Sequence, residues 1–339
     1  MSVTTASRSP APKFGFDPSY LAAFQDKLFI EGPQTAQRLF NFFALLLLAT
    51  VIATYGLLSS STATVIGAMI VAPLMGPIMA TTAAVVLGQN GRAWRALALV
   101  AAGIVTVIAF SYALTLIVPD VTISFTENGE LASRINPGLY ALLTALGSGA
   151  AGAYIMSRDE LADSMGGVAI AISLVPPLCV VGIALKQGEW SAAAGALLLF
   201  TTNFLAILLA GGITFLLVGL PKYAASKDSV RMRRRGFAVI AIATLLVVVP
   251  LSLSAYHTIT GAVDKNTATT VSHQWLGSSA YQIDSVAVSD RVVIVSVEGV
   301  GDLPSLQELD NQLSQALKRP VIVRLRVIPL QTAGPPPNP

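Results

Sequence analysis

The stretch VIGAMIVAPLMGPIM, residues 65–79, places Pro73, Gly76 and Pro77 within five positions of an otherwise apolar segment. A proline lacks the backbone N–H and crowds the carbonyl oxygen four residues earlier, so it interrupts a helix. Hydrocarbon offers no water to replace the lost hydrogen bond, and a break is tolerated only inside protein or beside a water-filled cavity. The stretch therefore predicts a broken membrane helix whose break faces protein or a cavity.

The composition places this segment in an integral membrane protein. Charged residues make up 12% of the chain and apolar residues 54%, whereas a typical soluble domain has about 25% charged residues. Uncharged windows long enough to cross a bilayer recur along the sequence. We expect an α-helical transmembrane bundle of about seven spans within 39–258, near 39–58, 62–88, 95–118, 137–157, 164–185, 191–219 and 236–256.

The segment before the spans, 1–38, is predicted to be a cytoplasmic segment with a short amphipathic helix. Leu21, Phe24 and Leu28 have helical spacing in this segment. Such a helix would lie on the membrane surface or cap the bundle, and the sequence leaves both alternatives open.

The segment after the spans, 259–330, is predicted to form a small extracytoplasmic α/β domain. Residues 283–299 alternate like two short strands, and 321–329 has the pattern of a third. Between them, Ser305 and Glu308 have the spacing of a capping box at the start of a helix. The tail 331–339 is predicted to be disordered.

Basic residues predict the orientation of the spans. With a cytoplasmic N-terminus, the inside loops carry nine basic residues and the outside loops two. Positive charge concentrates in cytoplasmic loops, so we expect a multi-pass protein of the plasma (inner) membrane with an extracytoplasmic C-terminus. The run 231–235, RMRRR, is then a topological anchor, and we expect no binding of nucleic acid.

A second proline-broken stretch, SLVPPLCVVGI at 173–183, repeats the first. Aligning Pro73 with Pro177 pairs the helices of 39–118 with those of 137–219. Three spans per copy would give the copies opposite orientations. Paired broken spans in inverted repeats mark the binding site of many transporters.

The candidate site comprises backbone-breaking and polar residues of these spans. Unpaired backbone groups at a mid-membrane break can bind an ion or a small polar group. The alternatives are a structural kink at the prolines and an interhelical hydrogen bond at Asn203. The candidate substrate-binding residues are Pro73, Gly76, Pro77, Ser173, Pro176, Pro177 and Asn203.

Other features favour packing over chemistry. Ala145, Gly149 and Ala153 are small residues at the spacing of close helix contacts. Cys179 is the only cysteine and is expected to be a small buried side chain. We find no catalytic constellation and no metal-ligand spacing, and we therefore expect no enzyme, no cofactor and no metal.

Two segments, GAMIVAPLMGPI at 67–78 and AIAISLVPPLCVVGIAL at 169–185, resemble the signature segments of a prokaryotic membrane family called domain of unknown function 389. The resemblance covers about residues 40–220. It implies a polytopic membrane protein and no settled activity, and it supplies no further site residues.

Three classes of function remain after these observations. A transporter or channel for a small solute or ion, with its site at the two broken helices, ranks first because of the paired breaks. A membrane sensor or assembly scaffold whose outer α/β domain binds a partner ranks second, and an intramembrane enzyme is far behind. The expected partners are the lipid bilayer and a small solute, and a homo-oligomer is expected only because such assemblies are common.

Overall fold

The fold was derived from a computed structural model, which describes residues 15–118, 125, 127–135, 138–164, 174–223, 229–277, 279, 281–289, 292–299 and 303–329. The chain divides into two compact units, Met1–Leu251 and Ser252–Pro339. We refer to them as the bundle unit and the C-terminal unit. The division falls inside one long helix, and each unit is described by itself.

Helices account for most of the described residues, and three strands form a small sheet. The α-helices are α1 Leu21–Leu28, α2 Thr35–Leu58, α3 Thr62–Val71, α4 Met75–Leu87, α5 Asn90–Ile117, α6 Gly129–Ile135, α7 Leu139–Met156, α8 Val175–Gln187, α9 Trp190–Leu217, α10 Ser229–Leu276 and α11 Leu306–Ala316. Short 3₁₀ helices occupy Pro18–Tyr20, Asp159–Ser164 and Leu220–Tyr223, and the strands are β1 Tyr281–Ser289, β2 Val292–Gly299 and β3 Ile322–Pro329.

The apolar helices are those of a membrane protein. In the described part of the chain, α2, α5, α7 and α9 are each long and apolar enough to cross a bilayer. The pair α3 and α4 also qualifies when taken together, with a bend of 50° between its halves. This gives four or five spans. The expected count of seven stays a prediction, because residues 165–173 of the fifth span and many side chains of the seventh lie outside the description.

The bundle unit has two distinct ends. At one end α1 lies near the start of α5, where Glu31 binds Arg92 at 2.8 Å, and Phe16 N–H donates to the Val218 carbonyl at 2.8 Å. At the other end Asn128 accepts from the first turn of α6 and donates to the last turn of α2. We call these the α1 end and the α6 end, and the spans run between them in alternating directions.

Two connections contain helix that was not predicted from the sequence. The connection between the spans expected near 95–118 and 137–157 contains α6, which begins at the cap supplied by Asn128. The last span, expected at 236–256, is part of a helix that continues to Leu276, so His273 lies on a helix. Ala268, Trp275 and Leu276 are buried against the core of the C-terminal unit, and this packing stabilises a polar stretch that has no strong helix signal of its own.

The C-terminal unit contains the predicted three strands and helix. The sheet order is β1-β2-β3, with β1 antiparallel to β2 and β3 parallel to β2. Leu309 and Leu313 of α11 and alternate valines of β2 are fully buried, as their spacing predicts. The capping-box prediction was wrong, because Ser305 is the N-cap residue but its side chain makes no capping hydrogen bond.

Candidate functional site

The first break is a local interruption between α3 and α4. The last helical hydrogen bond of α3 runs from the Ala72 N–H to the Ala68 carbonyl at 3.1 Å. Ala72 is extended, with φ −67° and ψ 124°, because the Pro73 ring excludes the helical conformation for the residue before it. Pro77 lies in the first turn of α4, where an N–H would have no helical partner. Pro73 therefore breaks the helix, whereas Pro77 is compatible with the start of the next one.

A groove of about 470 Å³ lies beside this break. Pro73, Gly76, Pro77 and Ala80 form its floor, and α2 and α5 form its walls. Leu28, the last residue of α1, and the three residues after it, 29–31, also line it. Three of the predicted site residues are thus brought together beside open space, at the α1 end of the bundle. We call this cavity the break groove.

The lining of the break groove is rich in positive charge. Among its residues are Lys27, Arg38, Arg92 and Arg95, and Glu31 is its one carboxylate. Glu31 lies 2.8 Å from the Arg92 guanidinium and 3.6 Å from that of Arg95. The pKa of Lys27 is raised above its ordinary value, chiefly by Tyr20 and then by a hydrogen bond to Asp159.

Several contacts hold two of these cations in place. Arg38 donates to the carboxylate of Asp26 at 3.0 and 3.1 Å. The Arg92 guanidinium lies over the Phe29 ring, 4.7 Å from its centroid, and donates to Gln89 at 2.9 Å. Arg95 differs from both, because its side chain is 79% exposed and its ion pair is the longer one. Arg95 is therefore the groove guanidinium that can most easily turn to a ligand.

The second proline pair is packed differently, and residues 165–173, which precede it, lie outside the described residues. Pro176 and Pro177 lie in the first turn of α8, and every residue from Val175 to Ala184 is buried. Gly182 packs so closely on α5 that an added Cβ would lie 2.7 Å from the Ile108 carbonyl oxygen. A buried hydrogen-bond chain also joins three helices here, from Thr54 to Ser111 at 3.0 Å and from Ser111 to the Cys179 carbonyl at 3.0 Å. Cys179 is completely buried, as expected.

Of the predicted site residues that the structure describes, Pro176, Pro177 and Asn203 do not line the break groove. Ser173 lies outside the described residues. Asn203 is buried in α9 with 7% exposure, and its Oδ1 has no hydrogen-bond partner among the described residues. The interhelical bond considered for Asn203 is therefore not made through this oxygen, and Asn203 does not line the groove.

The charged residues that line the break groove were not predicted as site residues from the sequence. Arg92 and Arg95 were interpreted only as markers of orientation, and Arg38 and Glu31 were not considered. A signal does exist, since both α2 and α5 carry arginine in their first turns and apolar residues four and seven positions later. These two rows of residues face one cavity only because α2 and α5 pack on either side of it, which the sequence does not show.

Helix boundaries recur along the chain with a spacing of 100 residues. Helix α4 begins at Met75 and ends at Leu87, and α8 begins at Val175 and ends at Gln187. Left-handed Gly88 and Gly188 cap the two helices, with φ of 69° and 76°. The helices that follow, α5 and α9, each have 28 residues. This register pairs Pro77 with Pro177, whereas the alignment predicted from sequence paired Pro73 with Pro177.

Comparison with known proteins places the chain among relatives of unknown activity. A protein of Methanocaldococcus jannaschii, itself named as uncharacterized, is 29% identical over 213 residues, which are 63% of this chain and 65% of that protein. The match thus covers somewhat less than two thirds of the relative. No solved structure matches this chain. Residues 69–209, which include the prolines of both stretches, match the family described as domain of unknown function (DUF389), and this confirms the resemblance predicted from the sequence.

Proposed function

We propose that this chain is a polytopic transport protein or channel of the plasma (inner) membrane, with the break groove as its binding site for a small solute or ion. The observation that carries the proposal is the cavity at the break between α3 and α4. Irregular backbone at membrane depth is tolerated where it borders protein or a water-filled cavity. A break beside a cavity is the arrangement that binding sites in transporters use.

An inverted repeat of three spans is the second part of the proposal. The common register of 100 residues in α4–α5 and α8–α9 supports it. So does the packing, because α5 packs against α8 and α9 packs against α4. Each copy would then place its third helix against the broken helix of the other copy. The seven spans expected from sequence, with residues 164–185 as the fifth, complete this arrangement.

The proposed orientation has the α1 end on the cytoplasmic side. In the bundle unit, Lys27, Arg38, Arg92 and Arg95 lie at the α1 end. Gly236 lies against Val85 near the end of α4, which places the preceding arginines, 231–235, at the same end. The positive-inside rule assigns such an end to the cytoplasm.

The surroundings of the two proline pairs differ in a way that fits alternating access. Pro73 and Pro77 border the groove, whereas Pro176 and Pro177 are buried. In transporters built from inverted repeats, the two halves exchange conformations as access alternates. The structure would then correspond to a state open towards the α1 end, with the second break closed.

A membrane sensor or scaffold is the alternative function. The tight packing at Pro176 and Pro177 favours it, as does a C-terminal unit with its own buried core. In that case the break groove would keep one conformation and no solute or ion would cross the membrane through it. We do not propose an enzymatic role.

Cysteine labelling combined with flux measurement tests the proposal. Gly76→Cys adds a thiol to the groove floor, where an added Cβ meets no atom within 4 Å. The buried Cys179 serves as an internal control, and Gly67→Cys, on α3 and also unobstructed, is the matched variant outside the groove. A membrane-impermeant maleimide should modify the Gly76→Cys thiol from the α1 side and leave Cys179 unmodified.

Flux is then measured in proteoliposomes under gradients of protons, sodium, potassium, chloride and small organic anions. We expect a selective flux that falls when the Gly76→Cys thiol is modified, because the adduct fills the groove. Full flux after complete modification would refute the groove as the path. No electrical or tracer signal from folded, inserted protein would favour the sensor or scaffold instead.

A further inference from the structure

We propose that the break groove binds an anionic amphiphile, a phosphate or carboxylate head group with an alkyl chain, and that an anionic phospholipid of the adjacent leaflet is its occupant. This inference relies on the proposed function for the location and orientation of the site, but not for transport. Three properties of the groove carry it: the order of charged and apolar residues on its walls, the excess of positive charge, and the position of Glu31.

Each wall changes from basic to apolar along its helix. On α2, Arg38 is followed by Phe42 and Leu45 at helical spacing, and all three line the groove. On α5, Arg95 is followed by Leu99 in the same way. A helix rises about 1.5 Å per residue, so each wall holds a cation at its mouth and an apolar surface that begins about 6 Å further along and extends to about 10 Å on α2. An amphiphile has this profile, whereas an inorganic anion would use only the mouth.

The charge of the lining suits an anionic head group. Four cations and one carboxylate line the groove, and Asp159 and Asp26 pair with two of these cations from outside the lining; four cations against three carboxylates leave this cluster a net charge of +1. Basic pockets between transmembrane helices on the cytoplasmic side are the type of site that binds anionic lipid head groups. The apolar wall is also accessible from outside, since Leu45 is 43% exposed and Leu48, one turn further along α2, is 58% exposed. A lipid chain can therefore continue from the groove along α2.

Glu31 occupies the position that a head group would take. Its carboxylate contacts the guanidinium groups of Arg92 and Arg95 together, which is how two arginines bind a phosphate or carboxylate ligand. A lipid head group would displace the Glu31 side chain from these guanidinium groups and replace one anion by another on the same two cations.

Binding is tested on the purified full chain in detergent by native mass spectrometry. The probes are dioleoyl phosphatidylglycerol, dioleoyl phosphatidylcholine, decyl phosphate and inorganic phosphate. We expect phosphatidylglycerol and decyl phosphate to bind and phosphatidylcholine to bind more weakly. Inorganic phosphate binding as tightly as decyl phosphate would overturn the amphiphile assignment, and equal binding of the two lipids would overturn the role of charge.

Four variants locate the site. One basic residue contributes about fivefold to the affinity for an anionic surface, so Arg95→Gln should weaken phosphatidylglycerol binding by about that factor. Glu31→Gln should tighten it by a similar factor, a gain that a damaged fold would not produce. Leu45→Asn should weaken binding, whereas Leu48→Asn, also an exposed leucine of α2 but outside the groove lining, should not. Weaker binding by Glu31→Gln, or equal effects of the two leucine variants, would refute the site.

Binding and flux separate this inference from the proposed function. Selective lipid binding without any flux would leave the inference standing and remove the transport proposal. Flux that is blocked by modified Gly76→Cys, together with no preference for the anionic lipid, would retain transport and overturn the inference.

Discussion

Gly149→Ala is expected to destabilise the bundle unit, whereas Gly147→Ala, two positions away on α7, is expected not to. An added Cβ at Gly149 would lie 2.7 Å from Cα and 2.9 Å from the carbonyl oxygen of Ile207 on α9. At Gly147 an added Cβ would meet no atom within 4 Å. The atoms that obstruct Gly149 belong to the backbone, so they cannot move aside as a side chain can.

The expected loss of stability in Gly149→Ala follows from the distance by which the new methyl group forces α7 and α9 apart. Moving the Ile207 Cα from 2.7 Å to ordinary contact at 3.4 Å requires α7 and α9 to shift apart by about 0.7 Å. A gap of that size forfeits a quarter to a half of the dispersion energy of the atoms along the contact. Overpacking of this kind costs about 1–3 kcal/mol. Both variants gain the same helix propensity, about 1 kcal/mol, so the difference between them isolates the packing cost.

The assay is reversible unfolding in mixed micelles with a rising fraction of dodecyl sulfate, followed by far-ultraviolet circular dichroism. Gly149→Ala should be less stable than Gly147→Ala by about 1–3 kcal/mol, and Gly147→Ala should equal or exceed the unmodified chain. If the two variants unfold at the same dodecyl sulfate fraction, the close contact between α7 and α9 does not exist as described.

Three further substitutions test other parts of the fold. Gly182→Ala should destabilise the bundle unit in the same assay, because its Cβ would lie 2.7 Å from the Ile108 carbonyl oxygen; unchanged stability would contradict the packing of α8 on α5. Thr54→Val should lower the free energy of unfolding by about 1 kcal/mol, because it removes the buried hydrogen bond to Ser111, and a neutral effect would show that this bond contributes nothing. Trp275→Phe removes an indole hydrogen bond to a backbone carbonyl at 3.0 Å, so amide exchange in β2, measured by mass spectrometry, should accelerate about fivefold; an unchanged rate would mean that this bond does not stabilise the C-terminal unit.

Much of the fold could be predicted because its signals are local. A proline restricts the residue before it, so the interruption before α4 follows from Pro73 itself. Alternation and leucine spacing similarly predicted the strands and the buried face of α11, because each secondary structure has its own side-chain period. Residues 257–276 lacked such a local signal, and their helix was missed because tertiary packing of Trp275 stabilises it.

The amino-acid sequence determined where α3 ends at Pro73, which segments are apolar and which family the central region resembles. Only the tertiary structure decided that the break at Pro73 borders a groove, whereas Pro176 and Pro177 are buried. It also decided that Arg38 of α2 lines the same groove as Arg92 and Arg95 of α5, both of which pair with Glu31. The physical reason is that a proline acts on its own backbone, whereas the space beside it depends on which helices pack there, and those helices are distant in the chain.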